Sequence, residues 1–122
     1  MRRVAVFFYG LFMDVDLLRA KGVEPANVRK ASVRGYALRI GNRATLLPRD
    51  GEITHGMLME LTHAEIDKLY ADPSVNMYRA EAVIADGVAA LCFNLIDEPR
   101  ADEYNDAYAQ KLSELKRRLG LP

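Results

Sequence analysis

The chain has 122 residues, of which 50% are hydrophobic and 28% charged, a composition typical of one globular domain rather than of a disordered or membrane-spanning chain. Its 17 basic residues balance its 17 acidic residues, so no net charge draws it towards nucleic acid or anionic lipid. We therefore predict a single domain over residues 1-122, with neither nucleic acid nor a membrane as a partner.

The first strand is predicted at Val4–Tyr9, where a short run of β-branched and aromatic residues suits a strand buried on both faces. Gly10 ends it. The basic start and the apolar run also resemble a signal peptide, but Asp14 and Asp16 follow at once and no cleavage site is evident. Either aspartate can cap a short helix that runs to about Lys21.

The middle of the chain is predicted to be mostly extended. Val28–Ile40 has a strand pattern in which Gly35 allows a bulge, and a second strand covers Arg43–Leu47. Residues 48–51 (Pro-Arg-Asp-Gly) have turn chemistry, so a third strand is expected at Glu52–Leu61.

A capping box begins the next helix. Thr62 and Glu65 have the spacing at which a hydroxyl and a carboxylate each satisfy a free backbone N–H, which predicts a short helix through Tyr70. Residues 72–74 (Asp-Pro-Ser) should break it.

The last third predicts a hairpin and a helix. Tyr78–Ala85 and Val88–Leu95 are apolar strands around Asp86-Gly87. A final helix is indicated by apolar residues at helical spacing and ends at Gly120; those residues are Tyr108, Leu112, Leu115 and Leu119. Six strands and three short helices predict an α+β domain with a mixed, mostly antiparallel or barrel-like sheet.

Several kinds of site lack support in the sequence. His55 and His63 lie far from Cys92, the only cysteine, so we expect no metal site, no cofactor and no intrachain disulfide. Cys92 has apolar neighbours, which favours a buried thiol in a reducing, cytoplasmic setting. The chain also lacks the glycine-rich patterns of nucleotide-binding loops and the GxSxG pattern of serine hydrolases.

The segment Phe7–Phe12 is a candidate binding loop. A buried strand that stops at Tyr9-Gly10 places its next backbone amides at the end of the sheet, where they can hold a carboxylate. A plain strand end with a glycine turn is the alternative interpretation.

The order of short motifs resembles the γ-glutamylcyclotransferase (AIG2-like) family over nearly the whole chain. The motifs are Tyr9-Gly10, Val33-Arg34-Gly35-Tyr36, Pro48 with Gly51, Gly56-Met57-Leu58-Met59-Glu60-Leu61, Ile66-Asp67-Lys68-Leu69, Tyr78-Arg79 and Leu119-Gly120-Leu121-Pro122. The resemblance implies a small barrel-like sheet with short helices. It also implies a transferase-like reaction in which the α-amine of a γ-glutamyl compound attacks its own γ-carbonyl, releasing 5-oxoproline and a free amine. The substrate-binding residues would be Tyr9, Gly10, Leu11, Phe12, Tyr78 and Arg79.

Two positions depart from the family pattern. Leu11 follows Gly10 where the family usually has threonine or serine, so a hydroxyl is lost. Tyr70 occupies the position of the family's catalytic glutamate. Three carboxylates are candidates for a displaced base: Asp72, which is otherwise a turn residue before proline, and Glu60 and Glu81, which otherwise lie on solvated strand faces.

Three hypotheses remain open on the sequence. The first is an active enzyme that uses a displaced carboxylate. The second is a family member that binds a small γ-glutamyl or amino-acid-like ligand without turnover. The third is an interaction module, monomeric or homodimeric, that buries Leu11, Phe12 and Met13 against a partner.

Overall fold

The computed structural model describes residues 2–122 and contains five strands and three α-helices. In chain order these are β1 (Arg3–Phe8), α1 (Val15–Ala20), β2 (Ala26–Ile40), β3 (Ala44–Thr62), α2 (His63–Tyr70), β4 (Tyr78–Ala85), β5 (Val88–Leu95) and α3 (Asp106–Leu119), with one turn of 3-10 helix at Leu11–Met13.

The strands form a closed barrel in the order β1-β3-β2-β4-β5. All neighbouring strands are antiparallel except β1 and β5, which run parallel. The predicted α+β fold with a mostly antiparallel, barrel-like sheet is thus confirmed. Two seams are thin, because β2 meets β4 at the single pair Val33–Ala85 and β1 meets β5 at Val6–Leu91.

One strand prediction was wrong. The segments predicted as two strands on either side of residues 48–51 form the single strand β3. Tyr36 of β2 pairs with Pro48 and Arg34 pairs with Ile53, so residues 49–52 form a bulge opposite Gly35. Gly35 and Gly51 both have positive φ, near 85°, which glycine adopts at little cost. The turn residues therefore bend the strand without reversing it.

The hydrophobic core has two layers, separated by the barrel wall. Successive side chains of β1 point to opposite faces, so Phe7 and Tyr9 fill the barrel interior while Val6 and Phe8 pack under the helices. The run at Val4–Tyr9 was predicted from its apolar composition to be buried on both faces, and Val6, Phe7, Phe8 and Tyr9 are buried. The outer layer is completed by Leu18, Ile66, Leu112 and Leu115, and the inner one by Leu58, Val83 and Cys92.

The helix ends agree with the sequence signals. The Asp14 carboxylate accepts the backbone N–H of Asp16 at 3.0 Å and so caps α1. Thr62 and Glu65 form the predicted capping box of α2. Asn105 caps α3, and Gly120 ends it in the left-handed conformation. Within residues 2–122, none of the helices has the length and apolar character needed to cross a membrane.

Candidate functional site

A partly enclosed cavity of about 350 Å³ lies where the chain leaves β1 and turns towards α1. Small-molecule sites in proteins occupy volumes of about 300–1,000 Å³. Its walls are formed by Phe7, Phe8, Tyr9, Gly10, Leu11, Phe12, Leu17, Lys21, Arg43, Ala44, Tyr70, Ser74, Val75, Tyr78, Phe93 and Tyr108. The predicted binding loop Tyr9–Phe12 and Tyr78 are therefore brought together in one cavity.

Aromatic rings make up one wall of the cavity. Tyr70, the last residue of α2, stacks on Phe93 of β5 with ring centroids 4.0 Å apart and an interplanar angle of 16°. Phe12 meets Tyr70 edge-on at 5.8 Å, and Tyr78 lies 6.3 Å from it at a tilted angle. An aromatic stack thus occupies the position at which the family resemblance implied a glutamate.

Two of the tyrosine hydroxyls are already engaged by the barrel. The Tyr9 hydroxyl donates to the carbonyl of Phe93 at 2.7 Å, and the Tyr78 hydroxyl donates to the carbonyl of Ala44. For Tyr70, no hydrogen bond from its hydroxyl to another described residue is found. Since every enclosed side-chain oxygen or nitrogen in residues 2–122 has a partner, the Tyr70 hydroxyl oxygen keeps some exposed surface.

Burial holds these phenols in the protonated form. Loss of solvation raises the pKa of Tyr9, Tyr70 and Tyr78 well above the ordinary tyrosine value, and it also raises the pKa of Tyr108. A phenol that stays neutral can donate or accept a hydrogen bond. It is a poor proton acceptor at neutral pH.

Tyr108 of α3 braces the binding loop. Its hydroxyl accepts the backbone N–H of Leu11 at 3.4 Å. A Cβ atom at Gly10 would lie 2.6 Å from the same hydroxyl, so any larger residue at this position would displace the Tyr108 hydroxyl. Tyr108 thus brings a hydroxyl to the loop at the point where Leu11 lacks one. From the sequence, Tyr108 was placed only on the apolar face of a helix. Its phenol hydroxyl was the feature that could have marked it as a polar residue of the cavity.

The charged residues of the cavity are both basic. Lys21, which follows α1, and Arg43, between β2 and β3, line the cavity, and Arg43 Nε donates to the carbonyl of Ser74 at 3.0 Å. None of the described residues in its walls is an aspartate or a glutamate. Neither Lys21 nor Arg43 was singled out from the sequence, because nothing in their local pattern distinguishes them from surface residues.

The three carboxylates considered as displaced bases lie outside the cavity. Asp72 is exposed and accepts the backbone N–H of Ser74 at 2.9 Å and the Ser74 hydroxyl at 2.8 Å; these hydrogen bonds lower the pKa of Asp72. Asp72 is therefore a turn residue, the alternative that its position before Pro73 had suggested. Glu60 accepts from Asn27 at 3.0 Å and Glu81 from Asn94 at 2.7 Å. Glu60 and Glu81 are thus engaged on the barrel strands, and Asp72 is engaged in the turn beside the cavity.

Arg79 also lies outside the cavity. Its guanidinium donates to the carbonyls of Asn76 and Tyr78 at 2.8 and 2.9 Å, so it braces the entry to β4. The side chain is exposed. The expected role of Arg79 in substrate binding is not supported by this position.

A larger and more open depression of about 1,020 Å³ lies near the start of β1. Its lining is mostly apolar, and its Asp86 carboxylate accepts the Ser32 hydroxyl at 3.0 Å. In residues 2–122 no group of three or more histidine, cysteine or acidic side chains is arranged to hold a metal ion. The smaller cavity is thus the one that combines enclosure with convergent polar groups.

Known proteins resemble this chain over most of its length. The sequence profile described as "Gamma-glutamyl cyclotransferase, AIG2-like" matches residues 6–111. A structure described as gamma-glutamyl cyclotransferase superposes with a TM-score of 0.79 at 16% identity, covering 99% of this chain and 82% of that one. An uncharacterized Homo sapiens protein gives 0.79 at 16% identity, covering 100% and 83% of the two chains.

A third similar structure, a protein from Arabidopsis thaliana, has a TM-score of 0.72 at 19% identity and covers 98% of this chain and 87% of its own. At these identities the superpositions establish the shared fold. A search of curated proteins found no significant match.

Proposed function

Because this chain belongs to the gamma-glutamyl cyclotransferase, AIG2-like family, we propose that its cavity binds a γ-glutamyl or other amino-acid-like carboxylate, and that it does so without the family's ring closure. One observation carries the proposal. The Tyr9–Phe12 loop forms part of the wall of a partly enclosed cavity, and among residues 2–122 no aspartate or glutamate lines it.

Several groups suit a small carboxylate ligand. The cavity is lined by the Tyr9–Phe12 loop and by Tyr70, whose backbone amides and hydroxyl are the kinds of donor that hold a carboxylate. Lys21 and Arg43 supply positive charge at its wall, and the aromatic rings supply apolar surface. A concave apolar site with a few convergent polar groups is the usual form of a small-molecule site.

Ring closure needs a proton acceptor that this cavity lacks. The α-amine of the ligand must lose a proton before it can attack the γ-carbonyl, and an efficient base has a pKa near the working pH. Burial raises the pKa of Tyr70, so its phenol stays protonated. Family membership favours the alternative, an active enzyme with a base elsewhere, but Asp72, Glu60 and Glu81 are not among the residues that line the cavity, and each accepts a hydrogen bond from another side chain.

We expect Tyr70→Glu to introduce 5-oxoproline release that the wild type lacks. A glutamate there would lie against Phe12 and Phe93, where an apolar environment raises a carboxyl pKa towards the range useful for proton transfer. The measurement is 5-oxoproline production from a panel of γ-glutamyl amines and dipeptides, together with ligand-induced thermal stabilisation of the wild type.

Tyr70→Gln is the matched control, because it has the size of glutamate but cannot accept a proton at neutral pH. Release by the wild type that Glu81→Gln, Glu60→Gln or Asp72→Asn abolishes would contradict the proposal and identify the displaced base. A wild type that releases no 5-oxoproline and is stabilised neither by the panel nor by other amino-acid-like carboxylates would contradict the binding function itself.

A further inference from the structure

The charges that face the cavity are all of one sign, although an amino acid carries both. On this basis, and resting on the binding function proposed above, we propose that among amino-acid-like carboxylates the site prefers those whose nitrogen is uncharged over γ-glutamyl compounds and amino acids with a free α-ammonium group. N-acylated amino acids and lactam acids belong to this class. The juxtaposition that carries the proposal is Lys21 and Arg43 beside an aromatic wall, with no acidic side chain among the described lining residues.

The carboxylate of such a ligand has a ready partner in Arg43. Only its Nε atom is engaged, by the carbonyl of Ser74, and no ion pair of Arg43 or Lys21 with another described residue is found. The terminal nitrogens of the guanidinium can therefore receive a carboxylate in a two-point contact. The carboxylate close to Lys21 belongs to Asp72, whose Oδ1 already accepts two hydrogen bonds from Ser74.

A free α-ammonium group has no comparable partner. Moving an ammonium out of water is costly unless an anion or several acceptors replace its hydration, and neighbouring positive charge adds to that cost. The Tyr70 hydroxyl offers one acceptor oxygen in the cavity. One acceptor suffices for an amide N–H, which has a single proton to donate and no charge to compensate.

The aromatic wall suits the group that an acyl substituent or ring would add. Phe12, Tyr70 and Phe93 form continuous apolar surface in the cavity. Converting the ammonium group into an amide with an acyl chain or a lactam ring removes its positive charge. The added carbon atoms also give apolar surface that can pack against these rings.

The test compares ligand pairs that differ chiefly at nitrogen. Dissociation constants are measured by calorimetry on the full-length wild type for N-acetyl-L-phenylalanine against L-phenylalanine, and for 5-oxo-L-proline against L-proline. In each pair we expect the member with the uncharged nitrogen to bind at least about tenfold more tightly, the ratio produced by one unsatisfied buried polar group.

Arg43→Met should weaken the tighter ligand of each pair by about tenfold, because it keeps the length of the side chain and removes its charge. Arg43→Lys should restore part of the loss, which a purely structural role of Arg43 would not predict. Lys111→Met, on the exposed face of α3, is the control and should leave binding unchanged. Thermal unfolding of each variant confirms that it is folded.

The outcomes separate this inference from the function on which it rests. Equal affinity within both pairs, or no loss with a folded Arg43→Met, overturns the selectivity while the binding function stands. Absence of binding by both members of both pairs and by the γ-glutamyl panel overturns the two together.

Discussion

Burial controls the protonation of the reactive side chains on both sides of β5. Phe93 faces outward and stacks on Tyr70, whereas its neighbour Cys92 points into the barrel and has no exposed surface. Both the phenol and the thiol are thereby kept neutral, since desolvation penalises the charged form. A position that could hold a base is thus occupied by a ring that packs against Phe93 and keeps its proton.

The stability of the protein should depend on Cys92 in alkaline solution. Burial raises the pKa of the Cys92 thiol from 9.0 to about 12. Below pH 9 both folded and unfolded thiols keep their proton, so stability is unaffected. Between these two values the unfolded thiol ionises first, and the free energy of unfolding falls with a slope approaching about 1.4 kcal/mol per pH unit.

Urea denaturation of the wild type and Cys92→Ala at intervals from pH 8 to pH 10 measures this effect. Cys92→Ala should have a shallower slope above pH 9, although it is less stable at every pH because a small cavity remains. The comparison between variants cancels the titration of other groups, including the buried tyrosines that ionise above about pH 10 when unfolded. Parallel curves would show that the thiol is not desolvated as described.

At the scale of the element, α2 connects the C-terminal end of β3 to the cavity. Its first turn is fixed by the capping box, in which Glu65 accepts the backbone N–H of Thr62 at 2.8 Å and that of Glu24 at 2.8 Å. Its last residue is Tyr70, which forms the aromatic wall. The helix has only eight residues, so its stability depends on the cap and on packing rather than on length.

Thr62→Ala should destabilise the protein by about 1 kcal/mol, the usual cost of removing an N-cap hydroxyl. The hydroxyl accepts the backbone N–H of Glu65 at 3.1 Å, and without it that N–H loses its partner. Thr62→Ser keeps the hydroxyl and is the matched control; its free energy of unfolding should stay closer to that of the wild type. Equal losses in the two variants, measured by urea denaturation, would assign the effect to the lost methyl group instead.

At the scale of the whole molecule, the barrel is unevenly closed. β3 is paired along one edge with β1 and along the other with β2. β4 is paired along its length with β5, but meets β2 only at Val33–Ala85. Successive amides of a strand point to opposite edges, so part of β4 faces a seam without a strand partner.

Hydrogen exchange should therefore be slowest in β3 and should alternate along β4. We expect the β4 amides directed towards β5 to be protected, and those between residues 79 and 84 directed towards β2 to exchange much faster, since protection follows hydrogen bonding and burial. Exchange measured amide by amide by NMR tests this. Uniform protection along β4 would mean that a second molecule or another strand covers the seam in solution.

Predictions from sequence succeeded where a signal lies within a few residues. The capping box at Thr62, the cap at Asp14 and the hairpin turn at Asp86-Gly87 all form as expected, and both turn residues have the positive φ that a type I′ turn needs. Residues 48–51 were predicted to form a turn, but the structure has a bulge in β3 there. The same residue types occur in turns and in bulges, and only pairing with β2 decides between them.

The sequence by itself determined most of the elements, the family and the loop at Tyr9–Phe12, because periodicity, caps and motif order are local properties of the chain. Only the tertiary structure decided which side chains share the cavity with that loop. Lys21, Arg43 and Tyr108 come from three distant segments, and Glu60 and Glu81 were directed away by their places on the barrel. The closure and register of a barrel bring such segments together, and those depend on pairing between strands far apart in sequence.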